Sequence, residues 1–238
     1  MSEWKAKRFW KEATVVNVTG GFTVHLDGRP VKTPAKSALI VPTHAMAAAI
    51  AAEWDAQAGQ IDPRTMPVTR SANAAIDKVA VQHAEVAQMI ADYGDSDLLC
   101  YRAPGPVELI ERQAQMWDPL LDWAEAELGV RLSTASGVIH VPQDPVVLAQ
   151  LSARVHAMDN FTLAAFHDLV SLSGSLILGF AALMDHRPAD DIWRLSRLDE
   201  DWQIEQWGAD DEAEAMAETK RLGFLHAKFF SDLSRAPK

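Results

Sequence analysis

The chain has 238 residues, 48% of them apolar, which is enough to bury a core and excludes disorder over most of its length. Its formal net charge of −11 argues against nucleic acid as a ligand, because phosphate contact needs clustered cations. The single cysteine, Cys100, excludes an intramolecular disulfide and suits a reducing compartment.

The opening segment Met1–Lys11 is charged and carries no apolar run of the signal-peptide kind. Residues 14–33 read as short antiparallel strands. Thr14–Val18 is β-branched, Gly20-Gly21 offers a turn, and Phe22, Val24 and Leu26 alternate with polar neighbours. Asp27-Gly28 predicts a two-residue hairpin turn, Arg29–Thr33 a returning strand stopped by Pro34, and Leu39–Val41 one more strand. Thr43 is a candidate N-cap for an alanine-rich helix over Ala45–Gln57, with Met46, Ile50 and Trp54 on one face and Gly59 as its stop. The two prolines of Ile61–Pro67 mark a candidate boundary.

Beyond it the periodicity is helical. Thr69–Val79 and Gln82–Tyr93 form one expected pair, and Val107–Met116 and Pro119–Leu128 another, with Asp118 as N-cap and Pro119 at the first helical position. Ser133–Val141 reads as extended. Val146–Met158, Phe161–Met184, Ala189–Trp207 and Asp210–Leu233 read as four helices in series. Leu169–Met184 is uncharged but only 16 residues long, and a membrane span needs about 20 apolar residues. A central core helix is the expectation there, with no membrane insertion. The fold class is therefore α+β: a small antiparallel-sheet domain with a helix over residues 1–65, then a larger, mainly helical domain over 66–238.

The search for chemistry returns mostly absences. Gly94-Asp-Ser-Asp-Leu98 matches a serine-esterase nucleophile signature, but no Asp-x-x-His follows to supply the base, so a small serine hydrolase built on Ser96 stays an alternative only. The eight histidines include no pair at helical-turn spacing, and there is no Cys-x-x-Cys, so no metal site is expected. Neither Gly-rich phosphate cradle is present, and no cofactor or catalytic residue is assigned. Gly174 and Gly179 suggest close helix packing. Charge is unevenly placed: residues 1–40 hold seven Lys/Arg against three Asp/Glu, while residues 199–218 hold nine acids and no base. That acidic run is either a solvated helical face or a surface for a basic partner, and a protein–protein adaptor using both charged ends is a further alternative.

Several segments are similar to the family of F(1) ATP synthase assembly chaperones acting on the alpha subunit. They are Arg8-Phe-Trp-Lys11, Leu26-Asp-Gly-Arg-Pro-Val-Lys-Thr-Pro34, Ile50-Ala-Ala-Glu-Trp54 and Met66-Pro-Val-Thr-Arg70 with Asn73. Then follow Asp97-Leu-Leu-Cys-Tyr-Arg102, Gln113 with Trp117-Asp-Pro-Leu-Leu121, and Leu198-Asp-Glu-Asp-Trp-Gln-Ile-Glu-Gln-Trp-Gly208. The resemblance implies a non-enzymatic chaperone that holds the free alpha subunit, prevents its aggregation and yields it to the beta subunit. Mitochondrial relatives, which act in the matrix, carry a transit peptide that is not seen before the first family segment here, so the expectation is a bacterial cytoplasmic protein or else a processed form, and a monomer is the default state. It also implies partner contacts at Trp54, Glu200, Asp201, Gln203 and Glu205. Core packing competes for Trp54, which shares a face with Met46 and Ile50, and solvation or capping competes for the acids.

Overall fold

The structure, a computed structural model, describes residues 7–237, so the start of the charged opening segment lies outside the described residues. The chain forms two compact units. Among the described residues the first comprises residues 7–83, 159–165 and 229–237, and the second residues 84–158 and 166–228. The boundary drawn in the sequence after residue 65 falls inside the first unit.

In the first unit, β1 (Ala13–Val18), β2 (Gly21–Leu26) and β3 (Arg29–Pro30) make an antiparallel sheet in that order, with Ala13 opposite Leu26 and Leu26 opposite Arg29. Asp27 and Gly28 both take positive φ, 47° and 79°, as the hairpin turn expected from their residue types requires. The returning chain is strand only over two residues, and Leu39–Val41 contributes a bridge from Val41 to Phe22 rather than a full strand. Helix α1 (His44–Asp55) begins where expected, the Thr43 hydroxyl accepting from the Met46 amide at 3.1 Å. Its buried face, Met46, Ala47, Ile50 and Ala51, lies against Val24, Leu26, Leu39 and Val41 in one core that also takes in Trp10, Ala165 and Phe230. The Arg8 guanidinium holds the unit's edge by donating to the carbonyls of Trp10, Lys11, Asp55 and Gln57.

Helix α2 (Pro67–Ala74) has no cap of its own, and Glu53 on α1 supplies one. Its carboxylate accepts from the amides of Val68 (2.7 Å) and Thr69 (2.8 Å) and from the Thr69 hydroxyl. The helix widens into a π-turn over Ala75–Val79, from which Asp77 accepts from the Thr33 hydroxyl and the Ala35 amide.

The second unit contains α3 (His83–Ala91) from its second residue on, then β4 (Tyr101–Arg102), paired in parallel with β5 (Ala135–Ser136), and α4 (Val107–Leu128). Helix α4 is continuous where the sequence suggests two helices, and Pro119 sits inside it rather than at a start. An interior proline costs about 3 kcal/mol, but Trp117, Leu120 and Leu121 beside it are all 1% exposed or less, and their burial holds the helix through. Asp118 caps nothing; it pairs with Arg102 at 2.8 Å.

After α5 (Pro145–His156), the expected single helix over Phe161–Met184 is two, α6 (Asn160–Ser173) and α7 (Leu176–Leu183). Gly174 turns the chain with φ 71°, and Ser175 caps the restart by accepting from the Leu178 amide at 3.0 Å. All eight residues of α7 are buried, and no helix among the described residues is long and apolar enough to cross a membrane. The expected helix over Ala189–Trp207 also divides, into α8 (Ala189–Ser196) and α9 (Leu198–Trp207). The Trp117 indole donates to the Leu195 carbonyl at 2.9 Å and the Ser196 hydroxyl to the Trp193 carbonyl at 2.6 Å, which satisfies the end of α8 from outside the ladder. Helix α10 (Asp211–Arg235) closes the chain.

Asp97 joins these parts of the second unit. Its fully buried carboxylate accepts from the Leu99 amide at 2.9 Å and from the Ile177 amide, at the start of α7, at 3.0 Å. Burial pushes this carboxyl above the usual carboxylate range, against the opposing pull of the amide donors. Replacing Asp97 with Ala strands two buried amides, so Asp97→Ala is expected to cost about 3 kcal/mol, and Asp97→Asn, which keeps one acceptor, less. Chemical denaturation of the two variants measures the difference. Gly179→Ala tests packing in the same unit: an added methyl would stand 2.6 Å from a Val170 methyl and 3.1 Å from the Phe166 ring. A loss of about 1–3 kcal/mol is expected in the same assay, and unchanged stability would disprove the tight approach.

Candidate interaction site

The esterase-like segment resolves into structure. Ser96 is exposed at the end of a 3-10 turn, and the residues on either side of it have other work. Asp97 is the buried cap just described. Asp95 accepts from the Gln143 amide and lies 3.2 Å from His140, whose other ring nitrogen meets the Tyr101 hydroxyl at 3.1 Å. No hydrogen bond links Ser96 to a histidine among the described residues, and no group of three metal-ligating side chains is found among them. Cys100 is buried, and burial pushes its thiol up, away from the reactive thiolate.

The acidic residues expected to touch a partner stand together on α9. Glu200, Asp201, Gln203 and Glu205 span little more than one turn, so they fan around the helix rather than share one face. Each acid has a different electrostatic setting. Glu200 pairs with Arg197 at 2.7 Å, one turn back. Glu205 pairs with Arg112 of α4 at 2.8 Å, and that hydrogen bond holds its carboxyl below the usual range. Arg112 also lies 4.7 Å over the Trp202 ring, so one guanidinium fixes α9 through a charge and a π face. Asp201 forms no ion pair among the described residues; partial burial raises its carboxyl pKa, with Arg197 opposing. Gln203 is exposed.

Two clefts flank α9 within the second unit. One, of about 490 Å³, includes Arg112, Met116 and Asp201. The other, of about 510 Å³, opens between α9 and α10 and is lined by all the expected acidic-segment residues except Glu205. Its α10 side is formed by Ala213, Glu214, Ala217 and Glu218, which the sequence reading did not assign to a site. Glu218 is paired with Arg221 at 2.7 Å and sits below its usual pKa for that reason. Trp207, also unassigned, is 78% exposed at the end of α9. The spacing of Ile204 and Trp207 in the sequence was the signal available, but an apolar pair at helical spacing reads first as core.

Trp54 lies in the first unit. It is half-buried, its ring 5.1 Å from that of Trp10 in an edge-to-face arrangement, and it packs against the core cluster beside Ile61 and Ile76. Its indole nitrogen is buried without a hydrogen-bond partner. The neighbouring Glu53 is the cap of α2, so the Glu-Trp pair as a whole serves the packing of this unit.

Comparison with known proteins fits this arrangement. A sequence family described as ATP12 chaperone protein matches residues 7–125. "Protein atp12, mitochondrial" of Schizosaccharomyces pombe is 27% identical over 219 residues, covering 87% of this chain and 75% of that protein. The crystal structure of Atp12 from Paracoccus denitrificans superposes with a TM-score of 0.95 at 51% identity, covering 98% of this chain and 100% of that one. An Asp→Lys mutant of the same Paracoccus protein gives 0.96 at 51% identity with the same coverage. A protein of Agrobacterium tumefaciens, described as a candidate chaperone, gives 0.88 at 42% identity over 94% of this chain and 84% of that one. The matched family spans both the Glu53 cap and the Asp97 cap, and the structural match extends over α9 and α10: the chain belongs to the ATP12 chaperone family.

Proposed function

We propose that this chain is an assembly chaperone of the ATP synthase that binds the free alpha subunit of the F(1) sector, keeps it from aggregating and releases it for pairing with the beta subunit. The observation that carries the reading is the conjunction of family membership with an acidic helix held in place from behind. Arg112 and Gln113 of α4 pair with Glu205 and Asp199, at 2.8 Å and 2.7 Å, and leave Asp201 and Gln203 facing outward. Such a helix offers carboxylates at fixed positions to a basic partner, and its pre-organisation lowers the ordering cost of binding.

In this reading Glu200, Asp201, Gln203 and Glu205 contact the partner, and the half-buried Trp54 contributes from the first unit. The action is non-enzymatic, needs no cofactor, and takes place in the bacterial cytoplasm with a monomeric chaperone.

Co-purification with separately expressed alpha and beta subunits tests the proposal. A soluble one-to-one complex with alpha that dissociates when beta is added supports it. A complex that persists with both subunits would favour an adaptor, and failure to hold either subunit at micromolar concentration would overturn the reading. Among variants, Glu200→Lys is expected to weaken alpha capture by about tenfold. Asp201→Lys is expected to weaken it more, because Glu200 is already neutralised by Arg197 and Asp201 is not. Both residues are on the surface, so unchanged affinity in folded variants would remove α9 from the contact.

A further inference from the structure

Helix α10 departs from the usual economy of a surface helix. From Asp211 to Lys220 every residue is exposed except Ala217, which is half-buried, and Met216 (57%) and Leu222 (56%) stand in solvent. A surface helix normally buries one apolar stripe, and the first turns of α10 bury almost none. One of their faces, Ala213, Glu214, Ala217 and Glu218, lines the cleft shared with α9, and that lining is asymmetric in a useful way.

The α10 wall is low. Ala213 and Ala217 are four residues apart, so they share a face, and small side chains there let another helix approach closely. The α9 wall supplies Ile204 and the exposed ring of Trp207, a residue type that anchors interfaces. Two of the cleft's carboxylates, Glu200 and Glu218, are already neutralised by Arg197 and Arg221. Asp201 on one wall and Glu214 on the other form no ion pair among the described residues. The cleft's fifth carboxylate, Asp210, accepts from the Ala213 amide at the start of α10, so the negative charge with neither a cation nor a cap lies at two positions on opposite walls.

We infer that the groove between α9 and α10 receives a helical segment of the client, with an apolar side chain seated against Ile204 and Trp207 and a Lys or Arg reaching Asp201 and Glu214. The charge complementarity sets the sign of the partner, and the alanine wall sets its form. A client of this chemistry completes α10 by covering the face that the chain itself leaves open. The inference rests on the proposed chaperone function and deepens it, since it adds Trp207, Glu214 and the alanine face of α10 to the contact.

The test is alpha-subunit capture by the full chain carrying Trp207→Ala, Glu214→Lys or Ala217→Trp, with Leu222→Lys as a control on α10 outside the groove. Circular dichroism and thermal melting confirm that each variant is folded. Trp207→Ala and Ala217→Trp are each expected to weaken capture by about 30-fold, and Glu214→Lys by about tenfold, while Leu222→Lys stays within about twofold of the parent. If the parent chain captures alpha and the groove variants match it, the groove inference is overturned and the chaperone function stands. If the parent itself captures no alpha, both fall. Hydrogen exchange on the parent complex gives a reading free of any variant: protection of amides over residues 204–217 supports the groove, and protection confined elsewhere overturns it.

Discussion

The first amides of an α-helix have no partner within the helix, and a compact fold has to supply one from elsewhere. Here two carboxylates do so across long stretches of chain. Glu53 reaches from α1 to the start of α2, and Asp97 reaches from a 3-10 turn to the start of α7, 80 residues on. Both place negative charge where the helix dipole favours it. Asp97 is the more consequential of the two, because α7 is buried on every side and has no water to turn to. Its position fixes that of α7, against which α6 closes through the Gly179 contact with Phe166 and Val170. Removing the cap would leave polar groups stranded in the middle of the unit.

Local signals carried most of the parts of the fold that depend on local chemistry; the Gly174-Ser175 break between α6 and α7 is the exception, because its uncharged apolar flanks read as one helix. The Asp27-Gly28 turn, the alternation of β2 and the Thr43 cap were all legible, because each is decided by residues within a few positions of one another. Helix ends decided by distant partners were not. The break after α8 depends on a hydrogen bond from Trp117, 78 residues earlier, and the continuity of α4 through Pro119 depends on burial of its neighbours. A proline after an aspartate reads as a helix start, and only the packed surroundings of Leu120 and Leu121 reverse that reading.

The segments that carry the family resemblance sort themselves by the same physics. Arg8, Glu53, Asp97, Gln113 and Trp117 each satisfy backbone groups or join elements, so much of what marks the family in sequence is scaffold. The acidic run was legible as a run, and Arg197 and Arg221 stand within three residues of Glu200 and Glu218, but the pair that ties α9 to α4 was not legible, because Arg112 is 93 residues from Glu205. The opposite wall of the cleft was missed for a related reason. Nothing in the composition of Ala213–Glu218 distinguishes an open wall from an ordinary solvated helix until α9 is seen beside it.

Cys100, a minor detail of packing, has a practical bearing on how this protein can be watched. As the chain's one sulfhydryl, and an enclosed one, it should ignore maleimide chemistry under native conditions. The natural sequence thus serves as its own cysteine-silent background. A cysteine introduced on the exposed surface could carry a single fluorophore, and the dye's emission would follow binding and release in real time.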